Sequence, residues 1–129
     1  MTETRDGRAG RGMIATAAIL DIAFVVLFAV FGRRQHGETE ALFGLWQTVW
    51  PFLAGLAISW IVALVWRRPF AIVRSGVPAW IGTVALGMIL RVLFTDGGAP
   101  LPFVLVAAAV LGIVLLGWRL LARVFRRVR

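Results

Sequence analysis

From Met13 to Gly32 the chain reads MIATAAILDIAFVVLFAVFG, twenty residues in which Asp21 is the only charge. At the helical rise of about 1.5 Å per residue, twenty residues extend about 30 Å, the thickness of a bilayer's hydrocarbon core. The run is too long for the apolar core of a signal peptide, and no small-x-small cleavage pattern follows it. It is therefore expected to stay in the protein as a first membrane span.

Three further apolar runs follow. A second span is expected over 42–66 with Pro51 inside it, where the missing N–H should kink the helix. A third is expected over 76–94 and a fourth over 101–118, with RRQHGETEA (33–41), RRPFAIVRS (67–75) and TDGGAP (95–100) as connections. Residues 1–12 are polar and Gly-rich and are expected to be a disordered tail. Over the 129 residues, 60% are hydrophobic and 16% charged, a balance that suits lipid better than water. The expected fold is all-α: an integral membrane four-helix bundle of two helical hairpins.

Charge sets the expected orientation. All 14 basic residues are Arg, and the net charge is +8. Eleven of them lie in the two termini and the middle connection. At most three, Arg33, Arg34 and Arg91, belong to the other side. The arginine-rich side stays cytoplasmic, so both termini are expected inside the cell membrane. Trp46 and Trp50 would mark one interface, and Trp66, Trp80 and Trp118 the other. Arginines gathered at span ends point to lipid headgroups and exclude nucleic acid as the expected partner.

A faint internal repeat is also present. Trp50-Pro51-Phe52 leads to Trp66-Arg67 much as Pro102-Phe103 leads to Trp118-Arg119, and Val-Leu-Phe precedes each at 26–28 and 92–94. A duplicated hairpin would explain this, and so would chance matching of apolar sequence.

Asp21 is the leading candidate for function. It lies roughly 12 Å along the first span, and inserting it costs about 2.5–3.5 kcal/mol. A short carboxylate at that depth must be protonated, paired or in contact with water. Ala17, Ala18 and Gly32 share its face, which is expected to pack inside the bundle. Asp21 then either binds a proton or cation, or is locked to an arginine or hydroxyl. Arg91 is the second candidate. Ala79, Thr83, Gly87 and Arg91 recur every four residues, a small-residue stripe leading up to an arginine. It would be an anion or headgroup site, bridged to Asp96 or Asp21, or would reach the outer headgroups.

Arg33, Arg34 and His36 cluster in the first connection with Glu38 and Glu40, as a solvated loop or a substrate-facing group. A lone His is not a metal site, and no metal or cofactor is expected. Gly55-x-x-x-Ser59 and Ala108-x-x-x-Gly112 are helix-packing patterns, with Gly87 in the third span. Trp60, in mid-span, is read as packing. In the segment 119–129, Arg119, Arg123, Arg126 and Arg127 alternate with apolar residues as a basic amphipathic helix would. It should lie in the cytoplasmic interface, each Arg adding about 1 kcal/mol toward anionic lipid.

With no cysteine, no nucleophile beside a base and no phosphate-cradling glycine loop, an enzyme is not expected. The leading expectation is a small transporter or permease-like protein using Asp21 as an intramembrane carboxylate, as a homo-oligomer or with a membrane-protein partner. The alternative is a non-transporting subunit or assembly factor of a membrane complex.

The chain resembles the domain of unknown function 3054 family of small prokaryotic membrane proteins. The resemblance rests on Leu20-Asp21, Gly32-Arg33-Arg34-x-His36, Trp50-Pro51-Phe52-x-x-Gly55, Arg91 before Gly97-Gly98 and Phe103, and Gly117-Trp118-Arg119. It covers about residues 13–120 and implies a four-span membrane protein, with no established activity to transfer. It marks Asp21, Arg33, His36 and Arg91 as a set. Asp21 is also similar to the first-helix acid of the small multidrug-resistance exporters. It departs from them in being Asp rather than Glu, and the charge asymmetry argues against dual insertion.

The orientation is open to cysteine labelling. A cysteine at Gly37 or Gly97 should react from outside and one at Ser75 should be spared; the reverse pattern would overturn the orientation.

Overall fold

The computed structural model describes residues 10–33 and 41–128. The expected tail up to residue 9, and Arg34, His36, Glu38 and Glu40, lie outside the described residues, as do the side chains of Arg33 and Arg127. Four α-helices occur among the described residues: α1 Arg11–Arg33, α2 Ala41–Val62, α3 Val77–Phe94 and α4 Leu101–Val128. Each is long and apolar enough to cross a membrane, and no strand occurs among the described residues.

The helices form a ring in which α1 packs on α2 and α4, and α3 on α2 and α4. The α1–α2 and α3–α4 hairpins each pack, and the most extensive contact is the one that joins them, α2 against α3. Glycine is the reason. A Cβ at Gly55 would stand 3.1 Å from the Gly87 nitrogen and 3.2 Å from the Gly82 carbonyl oxygen, so backbone meets backbone here. Where Gly87 lacks a side chain, the ring of Phe52 fills the space. Phe52, Phe28 and Phe103 then meet at 5.5–6.2 Å between ring centroids and form the aromatic centre of the core. The stripe Ala79–Thr83–Gly87 is buried as its spacing predicts. Thr83 Oγ1 is buried there without a hydrogen-bond partner among the described residues.

Helix boundaries differ from expectation at the arginine-rich end. The second helix stops at Val62 rather than Trp66. Leu64 takes the left-handed conformation (φ 55, ψ 47), which ends the α-helix, and a 3-10 turn follows over Val65–Arg67. A π-turn over Ile72–Gly76, closed by the Gly76 N–H donating to the Ala71 carbonyl, leads straight into α3. Pro51 lies buried inside α2, and the helix continues through it. Residues 119–128 are not a separate interfacial helix: α4 runs unbroken from Leu101 to Val128. Gly32 does not share the packed face of Asp21, since it is exposed with nothing within 4 Å of its Cβ position. Ser75 is buried, so a cysteine there would be spared on steric grounds alone. The exposed Arg74 is the discriminating position for labelling.

Close helix approach yields a direct test. Gly82→Ala would drive a methyl into Ser59, and Gly87→Ala one into Phe52. Each should destabilise the bundle by about 1–3 kcal/mol in detergent unfolding. Gly117→Ala meets nothing within 4 Å and should be neutral or mildly stabilising. Equal damage from Gly117→Ala and Gly87→Ala would contradict this packing.

Candidate functional site: a buried acid–arginine pair

Asp21 is fully buried, and its charge is met inside the chain. Arg119 clamps the carboxylate with two parallel hydrogen bonds, Nη1 to Oδ1 at 2.9 Å and Nη2 to Oδ2 at 2.8 Å. Two indoles complete the set: Trp118 Nε1 donates to Oδ1 at 2.9 Å and Trp60 Nε1 to Oδ2 at 2.9 Å. An ionised carboxylate offers about four lone-pair positions, and each oxygen here accepts two bonds. The acid is saturated.

Arg119 is equally well housed. Its exposure is 0%. Nε donates to the Pro69 carbonyl at 2.8 Å, and Nη1 also reaches the Leu115 carbonyl at 3.0 Å. The guanidinium carbon stands 4.5 Å from the centroid of the Trp118 ring. Segment 63–76 closes the site from the arginine-rich end. Pro69 is buried, Phe70 packs edge-on against Trp118 at 5.1 Å, and Arg126 covers Phe70 at 5.7 Å. Gly76 is a tight point, because a Cβ there would approach Arg119 Cδ at 3.0 Å and Leu116 Cδ2 at 2.8 Å.

Each helix supplies its part by simple periodicity. Ala17, Asp21 and Val25, all buried, follow one another every four residues on α1. On α4 the same spacing carries Ala107, Leu111, Leu115 and Arg119, all at 0% exposure. Arg119 is thus the last member of an inward stripe, as Arg91 is on α3. This corrects its assignment to the lipid headgroups: a charge on the inward face of α4 meets Asp21 before it meets lipid. Arg123 and Arg126 are exposed. Trp118 and Trp60 also depart from expectation. Neither is interfacial belt nor mere packing, and both donate to the acid. Trp80 likewise turns inward, its Nε1 donating to the Ala108 carbonyl at 2.8 Å.

A bridge between Asp21 and Arg91, one of the alternatives the sequence leaves open, does not form. Arg91 belongs to the opposite end of the bundle, where Nε donates to the Gly98 carbonyl at 2.7 Å and the guanidinium lies 4.6 Å from the Phe103 centroid. The candidate residues therefore divide. Asp21 and Arg91 belong to separate places, and Arg119, Trp60 and Trp118 join Asp21. The signal that could have found Arg119 is the four-residue period ending in it.

Four apolar helices neutralising their own buried charge define a multi-pass membrane protein. The chain belongs to the family described as Protein of unknown function (DUF3054), which it matches over residues 18–122, and all five residues Asp21, Trp60, Arg91, Trp118 and Arg119 lie within that stretch. No curated protein and no solved structure matches it.

A saturated pair has a measurable consequence. Asp21→Asn keeps the shape but strands the Arg119 charge, and should cost about 3–5 kcal/mol in thermal unfolding. Trp60→Phe, which deletes one hydrogen bond to a charged group, should cost about 1.5–3 kcal/mol. Adding Arg119→Gln to Asp21→Asn should recover part of the loss, because no lone charge remains. Simple additivity of the two would show that the residues do not act as a pair.

Proposed function

We propose that the protein is a non-transporting subunit of a membrane complex, acting by helix-to-helix association. In this reading both termini and the arginine-rich end face the cytoplasm at the cell membrane. The supporting observation is the saturation of Asp21, whose two oxygens accept four hydrogen bonds at zero exposure. A coupling carboxylate must exchange a proton or ion during work, and this one has no acceptor position left to offer. The partner is an apolar transmembrane helix. We seat it in the cavity of about 410 Å³ between α1 and α2, where Ala18 and Ala57 permit close approach and Trp60 and Trp66 supply area.

Transport with Asp21 as the coupling group is the second reading. It is favoured by a cavity of about 540 Å³ at the Arg91 end, and it requires Arg119 to leave the acid during each cycle.

Affinity purification from the host's own membranes separates the two. The subunit reading expects a stoichiometric membrane-protein partner that Ala57→Trp releases, together with no proton-driven flux in liposomes. A clean homo-oligomer whose proton-coupled flux vanishes in Asp21→Asn would overturn it.

A further inference from the structure

Asp21 and Asp96 are the two acids among the described residues. Asp21 is taken up by Arg119, and Asp96 belongs to the opposite end of the bundle with Arg91. The arginine-rich end therefore carries charge that no described acid balances. Arg68, Arg74 and Arg123 are exposed there, and among the described residues none of the three side chains makes an ion pair or a hydrogen bond. The fold gathers these three. The Ser75 hydroxyl donates to the Arg68 carbonyl, and the Ala71 N–H donates to the same oxygen at 3.1 Å. These bonds close 68–75 into a loop with Arg68 and Arg74 at its two ends. Arg119 Nε, donating to the Pro69 carbonyl at 2.8 Å, fixes that loop against α4. Arg123 follows Arg119 by four residues and so shares the face of α4 that meets the loop. Arg126, a turn further on, covers Phe70 of the same loop.

We propose that this surface, built from the 68–75 loop and the end of α4, binds the headgroup of an acidic phospholipid, its phosphate shared among Arg68, Arg74 and Arg123. Depth supports a lipid source. From Leu101 to Arg119, α4 climbs about 27 Å, close to the thickness of a hydrocarbon core. The residues after Arg119, and the loop bonded to it, then stand at the headgroups. Apolar side chains interleaved with the arginines point the same way. Val73, beside Arg74, is 77% exposed, and Leu120 and Val124, beside Arg123, are 53% and 47% exposed. Glycerol and acyl groups can cover such side chains, whereas a soluble polyanion gains nothing from them. Charge selects the acidic headgroup. No described carboxylate stands free here to receive an ammonium, while each guanidinium presents a planar fork that matches phosphate oxygens.

Native mass spectrometry of the delipidated full chain, titrated with phosphatidylglycerol or phosphatidylcholine of identical acyl chains, tests this. Phosphatidylglycerol should bind about tenfold more tightly than phosphatidylcholine, and Arg74→Gln or Arg123→Gln should each weaken it about fivefold. Arg11→Gln removes the same charge from an exposed arginine at the start of α1, outside the loop, and should leave phosphatidylglycerol binding unchanged. All three side chains are exposed, so the variants should unfold at the temperature of the unaltered protein. Equal affinity for the two lipids in the unaltered protein would overturn the proposal. So would an effect of Arg11→Gln as large as that of Arg74→Gln, which would show diffuse attraction rather than a built site. Displacement of the lipid by soluble polyglutamate would equally overturn it, by showing an acidic protein segment as the occupant.

Discussion

A bilayer core holds no water with which to solvate a carboxylate, so whatever Asp21 needs must come from the protein. The structure answers with a guanidinium and two indoles drawn from α2 and α4, which converge on one residue of α1. Desolvating both ions costs several kcal/mol each, and only fork-like geometry with every remaining donor and acceptor occupied offsets such a cost. Arg119 answers with four of its five N–H donors, two to Asp21, Nε to the Pro69 carbonyl and Nη1 shared with the Leu115 carbonyl. Three helices and the 63–76 connection are thereby tied at one point. A pair of this kind contributes specificity of arrangement more than net stability, since apolar residues could fill the same volume.

Much of the surrounding architecture serves that point. If α4 ended at Trp118, the arginine would lie in a frayed terminus; because the helix continues to Val128, Arg119 is held in regular geometry. The connection between α2 and α3 does not simply turn in the headgroups. It bends through a left-handed Leu64 and a π-turn so that the Pro69 carbonyl and the Phe70 ring close over the site. Gly76 leaves room for the arginine stem to pass. Midway along the bundle a different device operates, the glycine-on-glycine approach of α2 and α3 beside Phe52.

The four helices were legible in the sequence because each apolar run has the length of a hydrocarbon core, and that signal needs no tertiary information. The inward face of α3 was legible for the same local reason, as Ala79, Thr83 and Gly87 repeat at helical spacing. Arg119 was misread because it was grouped with Arg123, Arg126 and Arg127, its neighbours in sequence. Its neighbours on the helix face are Ala107, Leu111 and Leu115, and they carry the opposite message. Trp118 was misread likewise, since a tryptophan beside an arginine at a span end looks like an interfacial belt until an acid is found to face it. The break at Leu64 had no local signal, because a leucine does not by its own nature favour the left-handed conformation it takes there.

Solid-state NMR in lipid bilayers tests the central claim most directly, by measuring dipolar coupling between the Asp21 carboxyl carbon and the Arg119 Nη nitrogens. The account predicts strong coupling to both nitrogens, as N–O separations of 2.8 and 2.9 Å require, unchanged when a proton gradient is applied. Absent coupling, or coupling that vanishes under the gradient, would show an acid released from its arginine and would contradict a permanent structural pair.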